Sequence, residues 1–444
     1  MLKNKRGKKV ALFIAVATIL AVFLGIVPQQ RCAAQGANDY ESIELFTDVL
    51  TIVKRSYVEE VDTKKLIYGA INGMLSSLDP HSSFMPPDVY KEMMIETKGS
   101  FGGLGIEISI KDGMLTVISP IEDTPAYKAG IKAGDQILKI EDKFTKDLSV
   151  MDAVKRMRGP KGSKITITIM RDGFEKPKEF TLVRDTIQVK SVKYKMLDKG
   201  FGYIRIAEFQ EKTDDDLVKA FQDLRLRNNG NLHGLVLDLR NDPGGLLDQA
   251  VRVADHFLDD GQLIVYTEGR AKDSKMRFTA SRGEKEPHYP MVVLINSGSA
   301  SASEIVAGAL QDHKRSVTMG TQSFGKGSVQ TIIPLSDNSG LRLTTARYFT
   351  PSGRSIQAKG ITPDIVVEDV ALSTAGKKEG LQISEKDLKN HFEAGKQESG
   401  EEKQIEKLPV YKTDEQIKSD YQVLRALDLL KGWDILKKMG SASK

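Results

Sequence analysis

Apolar positions follow three patterns along the chain, and each pattern predicts a different kind of structure. From residue 38 to about 97 they are spaced by three or four positions, as Ile43 and Phe46 are, which predicts helices. From Lys98 to about Asp185 they form short β-branched runs separated by glycines, which predicts strands. From Ile187 onward, strands alternate with amphipathic helices, which predicts an α/β core with right-handed crossovers.

The glycine-punctuated region predicts a small α+β unit. Its expected strands are Leu104–Ile110, Met114–Ile118, Asp135–Ile140, Ile165–Met170 and Glu179–Val183. Its expected helices are Pro125–Ala129 and Val150–Met157. In the α/β region, strands are expected at Gly202–Ile206, Leu235–Leu239, Met291–Ile295 and Val329–Leu335, and helices at Thr213–Leu226 and Leu246–Leu258. The strand at Leu235 is continuously apolar except for Asp238, which is typical of a buried strand.

The two ends of the chain differ from this middle part. Charges dominate after Val370, and Gly395–Lys407 is typical of a flexible linker. The final stretch, Asp414–Lys438, regains helical periodicity through Ile417, Tyr421, Leu424, Leu427, Leu430 and Ile435. An amphipathic helix must bury such a stripe against a partner surface. Nothing in this part of the sequence indicates catalysis.

The N-terminal residues predict export. Five basic residues precede Val10–Val27, an uncharged and mostly apolar run of 18 residues. This arrangement is typical of a signal peptide or of a short membrane anchor, and both alternatives stay open. In either case the basic flank stays in the cytoplasm. The body is therefore expected in the periplasm or on the outer face of the cytoplasmic membrane.

Composition excludes several classes of function. The net charge of +5 does not indicate nucleic-acid binding, because residues 1–34 hold six basic residues and no acid, which leaves the remainder close to neutral. Cys32 is the only cysteine, so neither an intrachain disulfide nor a cysteine-based metal site can form. The six histidines include no HExxH pair, so no metal or cofactor is expected. His81, in a turn-rich connector, is interpreted as structural.

The candidate chemistry lies between Asn296 and Gln330. A turn of small residues, with Ser301 at its centre, joins a strand to a helix, where free backbone N–H groups can stabilise an oxyanion. Farther along, Lys326 lies between two glycines in a loop that can approach that serine. This order is typical of a hydrolase with a serine nucleophile and a lysine base.

Three other interpretations are possible. A phosphate-binding P-loop is disfavoured because Gly327 stands where Ser or Thr should bind magnesium, and a strand follows instead of a helix. A triad with Asp312 and His313 is disfavoured because a shared helix would place them about 16–18 Å from Ser301 along its axis. The serines could also simply cap a helix.

The motifs Gly298-Ser-Ala-Ser-Ala-Ser-Glu304 and Phe324-Gly-Lys-Gly-Ser-Val-Gln330 resemble those of the carboxyl-terminal processing peptidases, also called tail-specific proteases. The resemblance implies that Ser301 is the nucleophile, that Lys326, 25 positions later, is the base, and that Gln330 completes the site. Gly245, at the end of the turn Arg240-Asn-Asp-Pro-Gly-Gly245, and Ala302 are the candidate oxyanion donors through their backbone N–H groups. A neutral lysine base requires a lowered pKa, which burial beside apolar residues such as Phe324 would supply.

A second resemblance concerns the α+β unit. Gly103-Leu104-Gly105-Ile106 resembles the carboxylate-binding loop of a PDZ domain, and Ala133-Gly-Asp-Gln-Ile-Leu138 resembles its later signature. Successive backbone N–H groups in such a loop bind a terminal carboxylate, and the edge strand that follows accepts an extended peptide. The four loop residues are therefore the expected site for a substrate's C-terminal tail, with its last side chain against Leu104 and Ile106. Whether binding there gates or merely tethers stays open.

Together these observations predict a multidomain α/β protein with a crotonase-like protease core, an inserted PDZ domain and helical terminal segments. The expected boundaries are 1–38 for the signal or anchor, 39–97 for the N-terminal helices, 98–186 for the PDZ domain, 187–370 for the core and 371–444 for the linker and C-terminal helix. The expected function is an exported serine endopeptidase that acts on proteins or peptides with a free C-terminus. A homodimer and membrane association are further expectations. The alternative is a non-catalytic PDZ scaffold on an inactive protease core.

Overall fold

The computed structural model describes residues 40–111, 113–146, 148–368, 384–387, 417 and 419–442. The predicted signal or anchor and the predicted linker at Gly395–Lys407 lie outside these residues. The chain divides into two units, Met1–Met74 and Leu75–Lys444.

The first unit is helical where it is described, as its apolar periodicity predicts. Helix α1 covers residues 40–56, and α2, Thr63–Ser76, runs to the boundary with the second unit. Several apolar side chains of α1, among them Ile43 and Phe46, are exposed. Among the described residues, no helix has the length and apolarity needed to cross a membrane.

The second unit opens with β1, Ser83–Met85, and α3, Pro87–Lys98. Strand β1 lies in the connector that the sequence indicated only as turns. Strand β2, Ser100–Gly103, then leads into the α+β region, and β9, Asp185–Gln188, leads out of it. The two strands pair antiparallel, so both covalent connections run side by side.

The α+β region contains one sheet with the order β3-β4-β5-β7-β8. Its elements are β3 (Ile106–Lys111), β4 (Met114–Pro120), α4 (Pro125–Lys128), β5 (Gln136–Ile140), β6 (Lys143–Phe144), α5 (Val150–Met157), β7 (Lys164–Met170) and β8 (Lys178–Val183). Both helices and all five strands expected from the sequence are present. The edge strand β3 begins two residues later than expected, because Gly105 has a positive φ of 77° that breaks the extended run after Leu104.

The α/β core is built on a sheet with the order β10-β11-β12-β15-β16-β19. Its elements in chain order are β10 (Val192–Asp198), β11 (Phe201–Ile206), α6 (Thr213–Arg227), β12 (Gly234–Asp238), α7 (Leu247–Asp255), β15 (Met291–Ile295), α8 (Ala302–Asp312), β16 (Val317–Gly320) and β19 (Ile365–Val366). From β11 to β19 neighbouring strands are parallel, and β10 is antiparallel to β11. Alternating residues of β12 and β15 pack against the three helices on one face.

A second, antiparallel sheet was not foreseen from the sequence. It has the order β1-β18-β13-β14, with β17 also paired to β18. Its remaining strands are β13 (Leu263–Gly269), β14 (Arg277–Thr279), β17 (Ser328–Pro334) and β18 (Gly340–Phe349). Residues of β13, β17 and β18 join the same apolar cluster as α7 and α8. Strand β17, which follows Lys326, therefore packs in the same apolar cluster as α8, the helix that begins at Ala302.

The C-terminal helix α9, Tyr421–Ala442, covers the other face of the core sheet. It buries Val423, Ala426, Leu427 and Leu430 against residues of β11, β12, β15 and β16. The sequence correctly predicted a helix with an apolar stripe, but it assigned Tyr421, Leu424 and Ile435 to that stripe, and all three are exposed. The choice between adjacent apolar positions depends on the surface that the helix meets.

Candidate active site

Ser301 lies at the turn between β15 and α8, as the sequence predicts. It precedes the first helical residue and has φ 54° and ψ −111°, a conformation that costs a non-glycine residue energy. Only 8 % of the residue is exposed. A strained serine at a helix N-terminus is a recurrent arrangement for a nucleophile, because the turn presents the side chain beside free backbone N–H groups.

The neighbouring serines are used structurally. Ser299 donates its hydroxyl hydrogen bond to the carbonyl of Leu239 at 2.7 Å, and Ser303 donates to the carbonyl of Asp242 at 2.9 Å. Both serines are fully buried. Ser301 is therefore the serine of the three whose position suits attack on a substrate.

Glu304 joins the serine turn to the lysine loop. Its Oε2 atom accepts hydrogen bonds from the backbone N–H of Ser301 at 2.8 Å and of Lys326 at 2.9 Å. Its Oε1 atom accepts from Gly325 N–H at 2.8 Å and from the Ser323 hydroxyl. One carboxylate oxygen thus holds two backbone nitrogens 25 positions apart in the sequence within two hydrogen-bond lengths of each other.

Burial raises the pKa of Glu304 to about 7, although the four hydrogen bonds act in the opposite direction. The carboxyl is completely buried, and desolvation disfavours its charged form. Glu304 closes the serine motif in the sequence, where no role was assigned to it. Its position three residues after the helix N-cap is the signal for a capping box, which could have identified it.

Lys326 lies in a tightly packed loop. Gly325 has φ 98°, and a Cβ atom on Gly327 would lie 2.4 Å from the backbone nitrogen of Gln357, so both flanking positions require glycine. Burial lowers the pKa of Lys326 below its usual range, and Arg342 lowers it further. Three carboxylates, those of Glu385, Glu304 and Asp79, oppose this effect.

The direction agrees with what a lysine base requires, since a lowered pKa increases the neutral fraction. The expected apolar wall at Phe324 is only part of the surroundings, because four charged groups also act on the amine. Among the described contacts, Gln330 on β17 donates to Ser328 Oγ at 2.8 Å and to Thr344 Oγ1 at 3.4 Å. Its amide nitrogen therefore binds neighbouring hydroxyl groups on the β17–β18 hairpin.

The glycine pair after Pro243 approaches the serine turn closely. Gly244 and Gly245 have φ of 104° and 136°. A Cβ atom on Gly244 would lie 2.8 Å from the Cβ of Ser301 and 3.0 Å from the nitrogen of Ala302. One on Gly245 would lie 2.2 Å from the Phe209 carbonyl oxygen, so both positions exclude a side chain. The backbone of this turn and the amide of the first helical residue thus border Ser301.

The residues of the alternative triad are engaged elsewhere. Both lie at the C-terminal end of α8, which begins beside Ser301. Asp312 accepts from Ser352 N–H at 2.9 Å and pairs with Arg354. His313 donates from Nε2 to the Leu263 carbonyl at 2.7 Å. The length of α8 therefore separates Asp312 and His313 from Ser301, as the sequence predicts.

Sequence reasoning missed a buried polar network behind the glycine turn. Asp238 accepts from Arg240 Nε at 2.9 Å and from the Tyr203 hydroxyl at 2.7 Å. Arg240 also donates to Asp420 at 3.0 Å and to Gln422 at 2.6 Å, at the start of α9. The one polar residue in the apolar strand at Leu235 was a visible signal for Asp238, but no local pattern pairs Arg240 with a residue 180 positions away.

The four predicted tail-binding residues lie where β2 leads into β3: Gly103 ends β2, Leu104 and Gly105 form the turn, and Ile106 begins β3. Strand β3 pairs with β4 alone among the described residues, so its other edge is open. A Cβ atom on Gly105 would lie 2.4 Å from Thr124, which explains why glycine occupies this position. Leu104 packs in the core of the α+β region, and the contact of its side chain with a bound tail stays a prediction. Ile106, the first residue of the edge strand, is half-buried.

Family profiles match three parts of the chain. Residues 200–367 match Peptidase family S41, residues 102–182 match a PDZ domain, and residues 26–89 match the N-terminal domain of the activating protease CtpB. These matches cover the α/β core, the α+β region and the N-terminal helices.

Curated relatives share most of the chain. The carboxy-terminal-processing protease of Bartonella bacilliformis is 49% identical over 94% of this chain and 96% of its own. The carboxy-terminal processing protease CtpB of Bacillus subtilis is 37% identical over 75% of this chain and 69% of its own. Among solved structures, the photosystem II D1 C-terminal processing protease is 31% identical, covers 73% of this chain and 92% of its own, and has a TM-score of 0.42. The chain belongs to peptidase family S41, the carboxy-terminal processing serine proteases, and carries a PDZ domain.

Proposed function

We propose that this chain is an exported endopeptidase that binds the C-terminal tail of a protein substrate at its PDZ domain and cleaves peptide bonds with Ser301 and Lys326. The observation that carries the proposal is the shared Glu304 oxygen, which joins the backbone of the serine turn to that of the lysine loop. Nothing in their positions along the chain alone requires the serine motif and the lysine motif to lie together. A geometry that unites a serine with a lysine of lowered pKa supports acyl transfer.

The reaction proceeds in two stages. Neutral Lys326 accepts the hydroxyl proton of Ser301, whose oxygen attacks the scissile carbonyl carbon. The N–H groups of Gly245 and Ala302 stabilise the resulting oxyanion. The lysine ammonium then donates the proton to the leaving amine, and the peptide bond breaks to give an acyl-enzyme. In the second stage Lys326 takes a proton from water, whose oxygen attacks the acyl carbon. The bond to Ser301 then breaks, and the lysine returns the proton to the serine oxygen as the acyl group leaves as a carboxylic acid. Gln330 orients the amine without adding charge.

Substrate selection rests on the edge strand of the PDZ domain. The tail carboxylate binds to backbone N–H groups of Gly103, Leu104, Gly105 and Ile106, and the tail continues along β3 as an added strand. The half-buried Ile106 supplies the apolar surface for the last side chain. Export, association with the membrane through the N-terminal segment and formation of a homodimer complete the proposal, and they rest on the sequence alone.

The test compares the exported body, residues 39–444, with its Ser301→Ala variant on casein and on a protein with a free apolar C-terminus. Wild type should cleave both, and the tailed protein faster. Ser301→Ala should lose activity by several orders of magnitude, because a covalent nucleophile cannot be replaced by an alanine. Full activity in Ser301→Ala would contradict the assignment of the nucleophile, and an inactive wild type would favour the scaffold alternative.

A further inference from the structure

A short turn after the core places one acidic residue inside the protein. Of the four described residues 384–387, Lys386 and Asp387 are exposed, whereas Glu385 is completely buried. Burying a carboxylate is costly unless specific partners compensate for the lost hydration. The partners of Glu385 therefore indicate what its burial accomplishes.

Two contacts connect Glu385 to the loop that carries Lys326. Its backbone N–H donates to the carbonyl of Phe324 at 3.0 Å. Its Oε1 atom accepts from the side-chain amide of Gln357 at 2.8 Å, and Gln357 Oε1 accepts from Gly327 N–H at 3.0 Å. The turn thus holds the backbone on both sides of the lysine.

A third contact connects Glu385 to the connector before the PDZ domain. Both carboxylate oxygens lie within hydrogen-bond distance of His81 Nε2, at 2.7 and 2.9 Å. The backbone N–H of His81 donates to Asp79, which also accepts from Thr344 on β18. Thr344 in turn accepts from Gln330. A series of contacts therefore connects Gly327, next to Lys326, with Gln330 through Glu385 and His81.

We propose that Glu385 is a positioning residue for Lys326: its buried carboxylate joins the lysine loop to His81 and holds the lysine amine where it can act on Ser301. The inference rests on the proposed role of Lys326 as base. It gives His81 a function beyond shaping a connector and gives a functional residue to a segment that the sequence indicated only as charged.

The charge of Glu385 also provides a readout that packing alone does not. Lys326 is influenced by Arg342 on β18, Glu304 on α8, Asp79 in the connector and Glu385, and the three carboxylates favour its protonated form. Replacing Glu385 by glutamine preserves the shape and hydrogen-bonding capacity of the side chain but removes its charge. The pKa of Lys326 should then fall, so that the amine becomes neutral at lower pH.

The experiment measures kcat, KM and the pH profile of the exported body for Glu385→Ala, Glu385→Gln, His81→Ala and the double variant, with the exposed Lys386→Ala as matched control. We expect Glu385→Ala to lower kcat about 100-fold with KM nearly unchanged, since a displaced catalytic group affects the chemical step. Glu385→Gln should keep most of kcat and move the acid limb of its pH profile to lower pH. The double variant should have the same kcat as Glu385→Ala, because both substitutions remove the same contact between Glu385 and His81. Lys386→Ala should match wild type.

A folded Glu385→Ala with wild-type kcat and pH profile would overturn the proposal. If that variant does not fold, Glu385→Gln decides: an acid limb in the wild-type position overturns the proposal, and a shifted limb supports it. Lys326→Ala, measured in parallel, separates this inference from the proposed function. Wild-type activity in Lys326→Ala refutes the lysine base itself, whereas an inactive Lys326→Ala with unaffected Glu385 variants refutes only the role of Glu385.

Discussion

The serine turn and the lysine loop reach the same site by different means. The turn around Ser301 is held by its own helix, which supplies Glu304, and by the segment after one neighbouring strand, β12, where Leu239 and Asp242 accept hydrogen bonds from the adjacent serines. The loop around Lys326 depends on three separate segments of the chain, which supply Glu304, Gln357 and Glu385. A nucleophile can be presented by a local turn, whereas a buried amine needs walls brought from several elements.

The largest expected effect tests whether the lysine loop carries chemistry at all. Lys326→Ala should lower kcat/KM by several orders of magnitude, because loss of one member of a catalytic pair disables the whole unit. His313→Ala, which removes a histidine bound to a backbone carbonyl at the far end of α8, should keep most of the activity. Initial rates on a fluorogenic peptide are the measurement. The reverse result, a dead His313 variant beside an active Lys326 variant, would replace the dyad by another mechanism.

The next effect tests the bridge between the two regions. Glu304→Gln should lower kcat about 100-fold. Both carboxylate oxygens accept from backbone N–H groups, and in the glutamine one of these oxygens is replaced by an NH2 group, which cannot accept, so the two loops would shift. The same mismatch should lower the free energy of unfolding by about 1–3 kcal/mol. Urea titration and initial rates provide both numbers. Unchanged values in both would mean that the loops are held together without this carboxyl.

The Glu304 bridge also predicts a pH dependence of stability. Its pKa is about 7 in the folded protein against a usual 4.5, so its contribution is fully present below pH 4.5 and is lost as pH rises to about 7 and beyond. Glu304→Gln cannot ionise and should lack this component. Between pH 4.5 and 8 the unfolding free energy of wild type should therefore fall relative to that of Glu304→Gln. Parallel curves would contradict the raised pKa.

The smallest expected effect tests whether α9 helps to support the glycine turn through Arg240. Asp420→Ala removes an acceptor of Arg240 and of Val423 N–H, and should lower the unfolding free energy by about 1–2 kcal/mol. Activity should fall by less than in Glu304→Gln, because Asp238 and Gln422 still hold Arg240. The matched control is Asp428→Ala on the exposed face of the same helix, which should change stability by less than 0.5 kcal/mol. Equal effects of the two variants would mean that Asp420 stabilises only the helix.

Periodicity and motif spacing predicted much of the fold. The helix expected at Thr213–Leu226 is present and buries Leu217, Phe221 and Leu224, and the strand at Met291–Ile295 has the predicted limits. Both signals depend on residues within a few positions of each other. The antiparallel sheet around β18 was missed, because its strands come from residues as far apart as Ser83 and Arg342, and pairing over such distances leaves no local pattern.

The sequence alone predicted which residues carry the proposed chemistry, a serine among small residues before a helix and a lysine between glycines, and it indicated the family to which the chain belongs. Only the tertiary structure decided the surroundings that set their reactivity. A pKa depends on burial and on every charge nearby, and those charges come from Asp79, Glu304, Arg342 and Glu385, spread over some 300 positions. Motifs record short-range geometry, whereas the environment of a buried amine is a property of the folded chain.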